Sequence, residues 1–131
     1  MRVLFVCVGN SGRIQMAEAF FNQISKTAKA SSAGTKPATS VNPLVIQVMR
    51  EVGIDIIKAK PKMLTLEMLD AADRIITMGC EAGDVCPSAI VETEDWKMED
   101  PRDKPVEKIR EIRNIIREKV MKLVSDMESN E

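Results

Sequence analysis

The chain has 131 residues, of which 44% are hydrophobic and 30% charged, and its formal net charge is −1. This length and this balance of hydrophobic and charged residues predict one globular domain over residues 1–131. Its core should be large enough for the chain to fold without disulfide bonds. The near-neutral charge, the 3% aromatic content and the absence of tyrosine argue against nucleic-acid binding, and no apolar run approaches the roughly 20 residues of a membrane span.

The predicted elements of the first half alternate between strands and helices. Residues 2–6 begin with Arg2 and are otherwise apolar and rich in β-branched side chains, which is typical of a strand buried on both faces. Residues 14–26 carry apolar side chains at helical spacing, and residues 28–35 fit a second strand. The pair Asn42-Pro43 predicts the start of a second helix, which ends near Val52.

The second half continues this alternation. Its expected elements are a short strand or extended connection over 54–60, a short helix over 65–69, strands over 73–79 and 88–95, and a helix from Val106 to about Met127. Strands that alternate with helices predict an α/β fold: a three-layer sandwich with a four-stranded, mainly parallel sheet flanked by helices.

The loop between the first strand and the first helix reads Cys-Val-Gly-Asn-Ser-Gly-Arg. Ligands of parallel sheets bind beyond the carboxyl ends of the strands, and backbone N–H groups in such a loop can form a concave nest for a tetrahedral anion. Glycines permit the backbone angles that a nest requires, and an asparagine side chain can hold the loop through hydrogen bonds of its amide. The predicted oxyanion-binding residues are Val8, Gly9, Asn10, Ser11, Gly12 and Arg13.

Cys7 and Arg13 supply the reactive groups of this loop. Arg13 can bind two oxygens of an oxyanion at once. The arginine and the helix N-terminus favour the thiolate of Cys7, which is the nucleophilic form, and Ser11 can donate a hydrogen bond to that thiolate or to the leaving group. The alternative is a buried structural cysteine beside a tight turn, but the coincidence of these residue types at a strand end favours catalysis.

These residues resemble the low-molecular-weight tyrosine phosphatase superfamily, which includes the thioredoxin-coupled arsenate reductases. The resemblance rests on CVGNSGRIQMAEAFF, SSAGT, NPLVIQVMREVGIDI and DRIITM in that order, and it covers most of the chain. It implies the same four-stranded parallel fold, a cysteine nucleophile and an acid from an Asp-Pro pair. Asp100-Pro101 matches that pair and can protonate a departing oxygen. A solvated acidic turn is the alternative, and Asp103 is a second candidate for the acid.

The two remaining cysteines, Cys80 and Cys86, distinguish a reductase from a phosphatase. The resemblance implies that Cys7 attacks arsenate, that Cys80 then attacks Cys7 and releases arsenite, and that Cys86 attacks Cys80. The resulting redox-active disulfide between Cys80 and Cys86 would be reduced by thioredoxin or glutaredoxin. The alternative is two small buried side chains. No metal site is expected, because the chain lacks histidine and the cysteines lack metal-binding spacing.

The function indicated is that of a cytoplasmic, monomeric arsenate reductase without a cofactor. One alternative is a phosphatase that hydrolyses phosphate monoesters through a phosphocysteine, and another is a non-catalytic oxyanion-binding or redox-sensing module. Residues 102–104, which follow the Asp-Pro pair, are not aromatic. Because phosphatases of this superfamily carry aromatic residues there, a small oxyanion such as arsenate or phosphate fits better than phosphotyrosine.

The sequence departs from the superfamily pattern at several positions. Ile14 stands where relatives usually carry serine, and Gly12 replaces a bulkier residue, which predicts a looser loop. Some relatives bind potassium beside the loop; Asn10, Glu18 and Ser32 match three of the ligands. The fourth, an aspartate in relatives, is Lys62 here. Its ammonium group could replace the cation, so we expect an enzyme that does not respond to potassium.

Overall fold

The computed structural model of the chain describes residues 1–9, 12–78, 94–99 and 101–129. Its elements, in chain order, are β1 (Arg2–Cys7), α1 (Arg13–Ile24), β2 (Lys29–Gly34), α2 (Pro43–Glu51), α3 (Leu66–Ala71), β3 (Arg74–Thr77), β4 (Glu94–Asp95) and α4 (Val106–Ser129). The four strands form one sheet in the order β2-β1-β3-β4, and every pairing is parallel. This confirms the predicted α/β fold.

The predicted elements lie close to their predicted bounds. Asn42 caps α2, since its Oδ1 accepts from the Leu44 N–H at 3.0 Å, and the Thr65 Oγ1 accepts from the Met68 N–H at 3.2 Å to cap α3. Residues 54–60 contain no strand and form a connection with a turn. Residues 88–93 of the strand predicted over 88–95 lie outside the described residues.

Strand β1 divides the core between the two faces of the sheet. Phe5 and Cys7 join the larger cluster of buried side chains, which α1, α2 and α4 cover. Leu4 and Val6 point to the other face and join a smaller cluster that includes side chains of α3. Helices therefore cover both faces, as the three-layer prediction requires. In the part of the chain that the structure describes, no helix is long and apolar enough to cross a membrane.

The outer edge of β2 is covered by hydrogen bonds. The Asn22 side chain on α1 donates to the Ala30 carbonyl at 3.0 Å and accepts from the Ala30 N–H at 2.8 Å. Further along, the Gly34 N–H donates to the Lys62 carbonyl, and the Leu64 N–H donates to the Gly34 carbonyl, both at 2.8 Å. These contacts satisfy edge groups that would otherwise be open to pairing with another chain, and they place Lys62 at the carboxyl edge of the sheet.

An ionic cluster joins α2 to α4. Arg113 is 9% exposed, and its Nη1 donates to the Val48 carbonyl and to Glu51 Oε1, both at 2.9 Å. Arg110 binds the same carboxylate through Nε and through Nη2, the latter at 2.7 Å. The hydrogen bond from Arg110, reinforced by the one from Arg113, lowers the pKa of Glu51 from its usual 4.5 although partial desolvation opposes the shift.

We expect Glu51→Gln to lower the free energy of unfolding more at pH 7 than at pH 3. Because the folded-state pKa of Glu51 is lowered, its carboxylate stabilises the fold above the unfolded pKa of 4.5, and this stabilisation is lost as the pH falls through the folded-state value. Urea denaturation at both pH values measures the difference. Glu128→Gln, at an exposed position of α4, is the matched control; an equal loss for Glu51→Gln at both pH values would contradict the prediction.

Candidate active site

Cys7 is the last residue of the central strand β1 and pairs with Gly34 of β2. Its side chain is 5% exposed and belongs to the larger core cluster. The thiol therefore lies at the carboxyl edge of the sheet, on the face that α1 covers. This is the place that the sequence pattern predicts for a nucleophile.

The loop that follows Cys7 runs beside the segment that follows β2. The Thr35 N–H donates to the Cys7 carbonyl at 3.1 Å, the Lys36 N–H to the Val8 carbonyl at 2.9 Å, and the Ala38 N–H to the Gly9 carbonyl at 2.8 Å. The β1–β2 pairing thus continues past the ends of both strands into the loop. No side-chain pattern in the sequence predicts this contact.

Arg13 is the first residue of α1 and reaches two other segments at the carboxyl edge. Its Nη1 donates to the Met78 carbonyl at 2.6 Å and to the Met98 carbonyl at 2.7 Å. Met78 follows β3 directly, and Met98 lies two residues before the predicted acid, Asp100. The sequence predicts Arg13 as an oxyanion ligand that also favours the Cys7 thiolate; in the structure it also ties these two backbone segments to the start of α1.

Gly12 is buried against the segment that carries the Asp-Pro pair. A Cβ added at Gly12 would lie 2.8 Å from Pro101 Cγ and 3.7 Å from Val45 Cγ2. The expectation of a looser loop is therefore wrong, because the Pro101 ring fills the space that a side chain at residue 12 would occupy. The missing side chain leaves room for Pro101 to contact the loop between β1 and α1, which is the anion loop (residues 7–13).

The structure also accounts for Ile14, another departure from the superfamily pattern, and places two residues that lie near Asp100 in the sequence, Trp96 and Asp103. Ile14 is fully buried in the larger core cluster, where an apolar side chain is favoured over a serine. Trp96 is half-buried and packs edge-on against the core residue Phe5 with a ring-centroid distance of 5.7 Å. Asp103 lies in an exposed turn with a positive φ of 60°.

Five predicted site residues lie outside the described part of the chain, namely Asn10, Ser11, Cys80, Cys86 and Asp100. Their roles stay predictions. Among the described residues, no three histidine, cysteine, aspartate or glutamate side chains lie close enough together to hold a metal ion.

Glu18, Ser32 and Lys62 form a polar cluster beside the site. The Ser32 hydroxyl, on β2, donates to Glu18 Oε2 at 2.9 Å, and Lys62 Nζ lies 3.6 Å from Glu18 Oε1. The Glu18 side chain is only 19% exposed, so a positive charge next to it is favourable. The ammonium group of Lys62 lies where it can provide that charge, as the sequence analysis expected of a substitute for potassium.

We expect the Michaelis constant for the oxyanion substrate to be the same in potassium and sodium salts at equal ionic strength. Lys62→Asp should make it fall several-fold on adding potassium, because two neighbouring carboxylates attract a cation. Lys62→Met removes the ammonium group without adding a carboxylate and is the matched control. A several-fold fall for the unmodified chain would show that Lys62 does not replace the cation.

A nucleophilic cysteine at the end of a central parallel strand, an anion loop and an arginine at the next helix define a class of enzymes that attack tetrahedral oxyanions. The sequence profile of the low molecular weight phosphotyrosine protein phosphatase family matches residues 2–131. The chain belongs to this family.

Three relatives illustrate the similarity. An arsenate reductase of Bacillus cereus is 37% identical over 121 residues, which cover 90% of each chain. The crystal structure of an arsenate reductase from Archaeoglobus fulgidus is 36% identical, with a TM-score of 0.79, and the match covers 94% of this chain and 98% of that chain. A thioredoxin-dependent arsenate reductase from Corynebacterium glutamicum is 37% identical, with a TM-score of 0.81, over 99% of this chain and 63% of that longer chain.

Proposed function

We propose that the protein is an arsenate reductase that reduces arsenate to arsenite through a thiol relay. The observation that carries the proposal is the position of Cys7 at the carboxyl edge of the sheet, where the anion loop, the start of α1 and the Asp-Pro segment meet. The similarity to arsenate reductases at 36% and 37% identity supports this reaction over others that the same loop permits.

In the first step, the Cys7 thiolate attacks the arsenic atom of arsenate. An S–As bond forms, one As–O bond breaks, and Asp100 donates a proton to the departing oxygen so that it leaves as water. Arg13 and the loop amides bind the remaining oxygens and stabilise their negative charge. Arg13 and the contact between Gly12 and Pro101 support this arrangement, since both join the segment around Asp100 to the anion loop.

In the second step, the Cys80 thiolate attacks the Cys7 sulfur. The S–As bond breaks with its electron pair left on arsenic, which is reduced from As(V) to As(III) and leaves as arsenite, while a Cys7–Cys80 disulfide forms. Cys86 then attacks Cys80 and releases the Cys7 thiolate. The Met78 carbonyl accepts a hydrogen bond from Arg13 in the site. The two residues from Met78 to Cys80 span at most about 7 Å, and this short reach supports an attack by Cys80 on Cys7.

The Cys80–Cys86 disulfide must be reduced by an external dithiol. We expect thioredoxin to do this, because one of the similar proteins is thioredoxin-dependent; glutaredoxin is the alternative. We further expect a monomer that acts in the cytoplasm, where disulfides are mostly transient and catalytic.

Hydrolysis of phosphate monoesters is the second candidate function, because the family is one of phosphatases and the same loop can bind phosphate. Water would then hydrolyse a phosphocysteine at Cys7, and neither Cys80 nor Cys86 would be needed. The Trp96 ring packs against Phe5 on one side and has Lys119 Nζ over it, which argues against its use as the aromatic wall of a phosphotyrosine slot. We therefore expect this activity to be slow. A non-catalytic module is less favoured, because the changes at Gly12 and Ile14 have packing reasons.

Arsenate-dependent oxidation of NADPH, with thioredoxin and thioredoxin reductase, tests the proposal. We expect turnover that requires arsenate and thioredoxin, beside slow hydrolysis of p-nitrophenyl phosphate. A parallel assay with glutathione, glutaredoxin and glutathione reductase identifies the reductant. Fast ester hydrolysis without arsenate turnover would establish the phosphatase instead, and saturable phosphate binding without either activity would indicate a binding module.

A further inference from the structure

The anion loop has an unusual hydrogen-bond pattern. In an extended strand, successive carbonyls point to alternate sides, so only every second one bonds to the same neighbour. Here the carbonyls of three successive residues, Cys7, Val8 and Gly9, all accept hydrogen bonds from residues 35–38. The chain therefore leaves the extended conformation after Cys7. It curves so that its concave side faces away from residues 35–38.

This curvature determines where the loop amides point. In a planar trans peptide, the carbonyl of one residue and the N–H of the next point in opposite directions, and none of the described peptide bonds is cis. Because the carbonyls of Cys7 and Val8 face residues 35–38, the N–H groups of Val8 and Gly9 face the opposite side. N–H groups that converge in this way form the kind of nest that binds an anion.

We propose that residues 35–38 are a positioning segment for the oxyanion, which acts through backbone N–H groups and not through side chains. The inference rests on the proposed function and adds residues that bind no substrate atom themselves. Their three hydrogen bonds hold the loop carbonyls away from the oxyanion, which carbonyl oxygens would repel, and hold the amides towards it. A loop ordered before binding loses less conformational entropy when the oxyanion binds.

The segment has the chemistry that this role requires. Pro37 has no N–H, and its ring fixes φ between the two donors Lys36 and Ala38, which restricts the segment. Lys36 and Ala38 have exposed side chains, so their backbone makes the contact with the loop.

The test removes one N–H group and leaves the rest of the segment intact. Incorporation of lactic acid at position 38 replaces the Ala38 N–H by an ester oxygen, and Ala38→Pro removes the same donor with a natural residue. The matched backbone control is the α-hydroxy analogue of isoleucine at position 54, whose N–H donates to the Met49 carbonyl at 3.0 Å within the α2 C-terminal turn. Calorimetric titration with inorganic phosphate and the thermal midpoint Tm are measured for each protein.

We expect the ester at position 38 to weaken phosphate binding about fivefold to tenfold, a loss within the range expected for one hydrogen bond. Its Tm should fall no more than that of the control ester, which should bind phosphate like the unmodified protein. Unchanged phosphate binding by the ester at position 38 would overturn the inference, even if Ala38→Pro fails to fold. A lack of phosphate binding by the unmodified protein would overturn the oxyanion site and the proposed function together with the inference.

Discussion

Cys7→Ser is expected to abolish both catalytic turnover of arsenate and p-nitrophenyl phosphate hydrolysis, whereas Cys80→Ser and Cys86→Ser should abolish arsenate turnover alone. The nucleophile is needed for both reactions, because each begins with attack by the Cys7 sulfur on a tetrahedral centre. A serine hydroxyl in its place is not deprotonated near neutral pH, so losses of at least about a thousandfold are expected. Only the reductase reaction needs a route for two electrons from an external dithiol to arsenic.

The order of the relay can be tested with the same variants. In Cys86→Ser, arsenite should be released once per protein molecule, and a Cys7–Cys80 disulfide should accumulate. In Cys80→Ser, no arsenite should be released. Quantification of arsenite in a single turnover, with mass spectrometry of the disulfides, distinguishes these cases. If Cys80→Ser and Cys86→Ser retain full arsenate turnover, both thiols are packing residues and the relay is wrong.

The fold could be predicted because its signals are local. The β-branched run of β1, the helical spacing of apolar residues in α1 and α4, and the Asn42-Pro43 start of α2 depend only on neighbouring residues. Residues 54–60 were ambiguous because a short apolar run fits a strand or a connection equally well. There the three-dimensional context decides, and the chain turns at residues 57–58.

The position of Cys7 was equally predictable, since a strand followed by a glycine-containing loop and a helix is a continuous pattern. The contacts that organise the site were not. The Arg13 bonds to Met78 and Met98 end on carbonyl oxygens, which every residue has, so no residue type reports them. The same is true of the bonds between residues 35–38 and the anion loop.

The change at Gly12 could be seen in the sequence but not interpreted from it. A glycine in place of a larger residue suggests extra space when only the loop is considered. Pro101 lies far from Gly12 along the chain, and its ring fills that space. The sequence alone does not show which distant residue approaches a glycine. It therefore predicts a looser loop where the structure shows a filled space.

Gly12→Ala should therefore slow the step in which Asp100 protonates the leaving group more than it weakens binding of the oxyanion. The new Cβ would lie 2.8 Å from Pro101 Cγ, a distance that real contacts do not allow, and the buried ring cannot rotate away as a flexible side chain would. The segment that includes Pro101 must shift, and Asp100 must shift with it because a peptide bond joins the two residues. Misplacement of a catalytic group by about 1 Å can cost on the order of a hundredfold in rate.

Two esters with different leaving groups separate proton transfer from binding. Phenolate leaves poorly without a proton, so kcat/KM for phenyl phosphate should fall about a hundredfold in Gly12→Ala. Nitrophenolate is a much weaker base and leaves more readily unprotonated, so kcat/KM for p-nitrophenyl phosphate should fall less than about tenfold. The inhibition constant of phosphate should stay unchanged, because the oxyanion ligands are retained.

Gly53→Ala is the matched glycine control for this experiment. Gly53 has a φ of 83° and open space around it, so the substitution strains the backbone at the end of α2 and should cost about 1 kcal/mol of stability. Both esters should be hydrolysed at the rate of the unmodified protein. If Gly12→Ala slowed both esters equally and weakened phosphate binding, the substitution would have distorted the anion loop itself. The contact with Pro101 would then not position the acid.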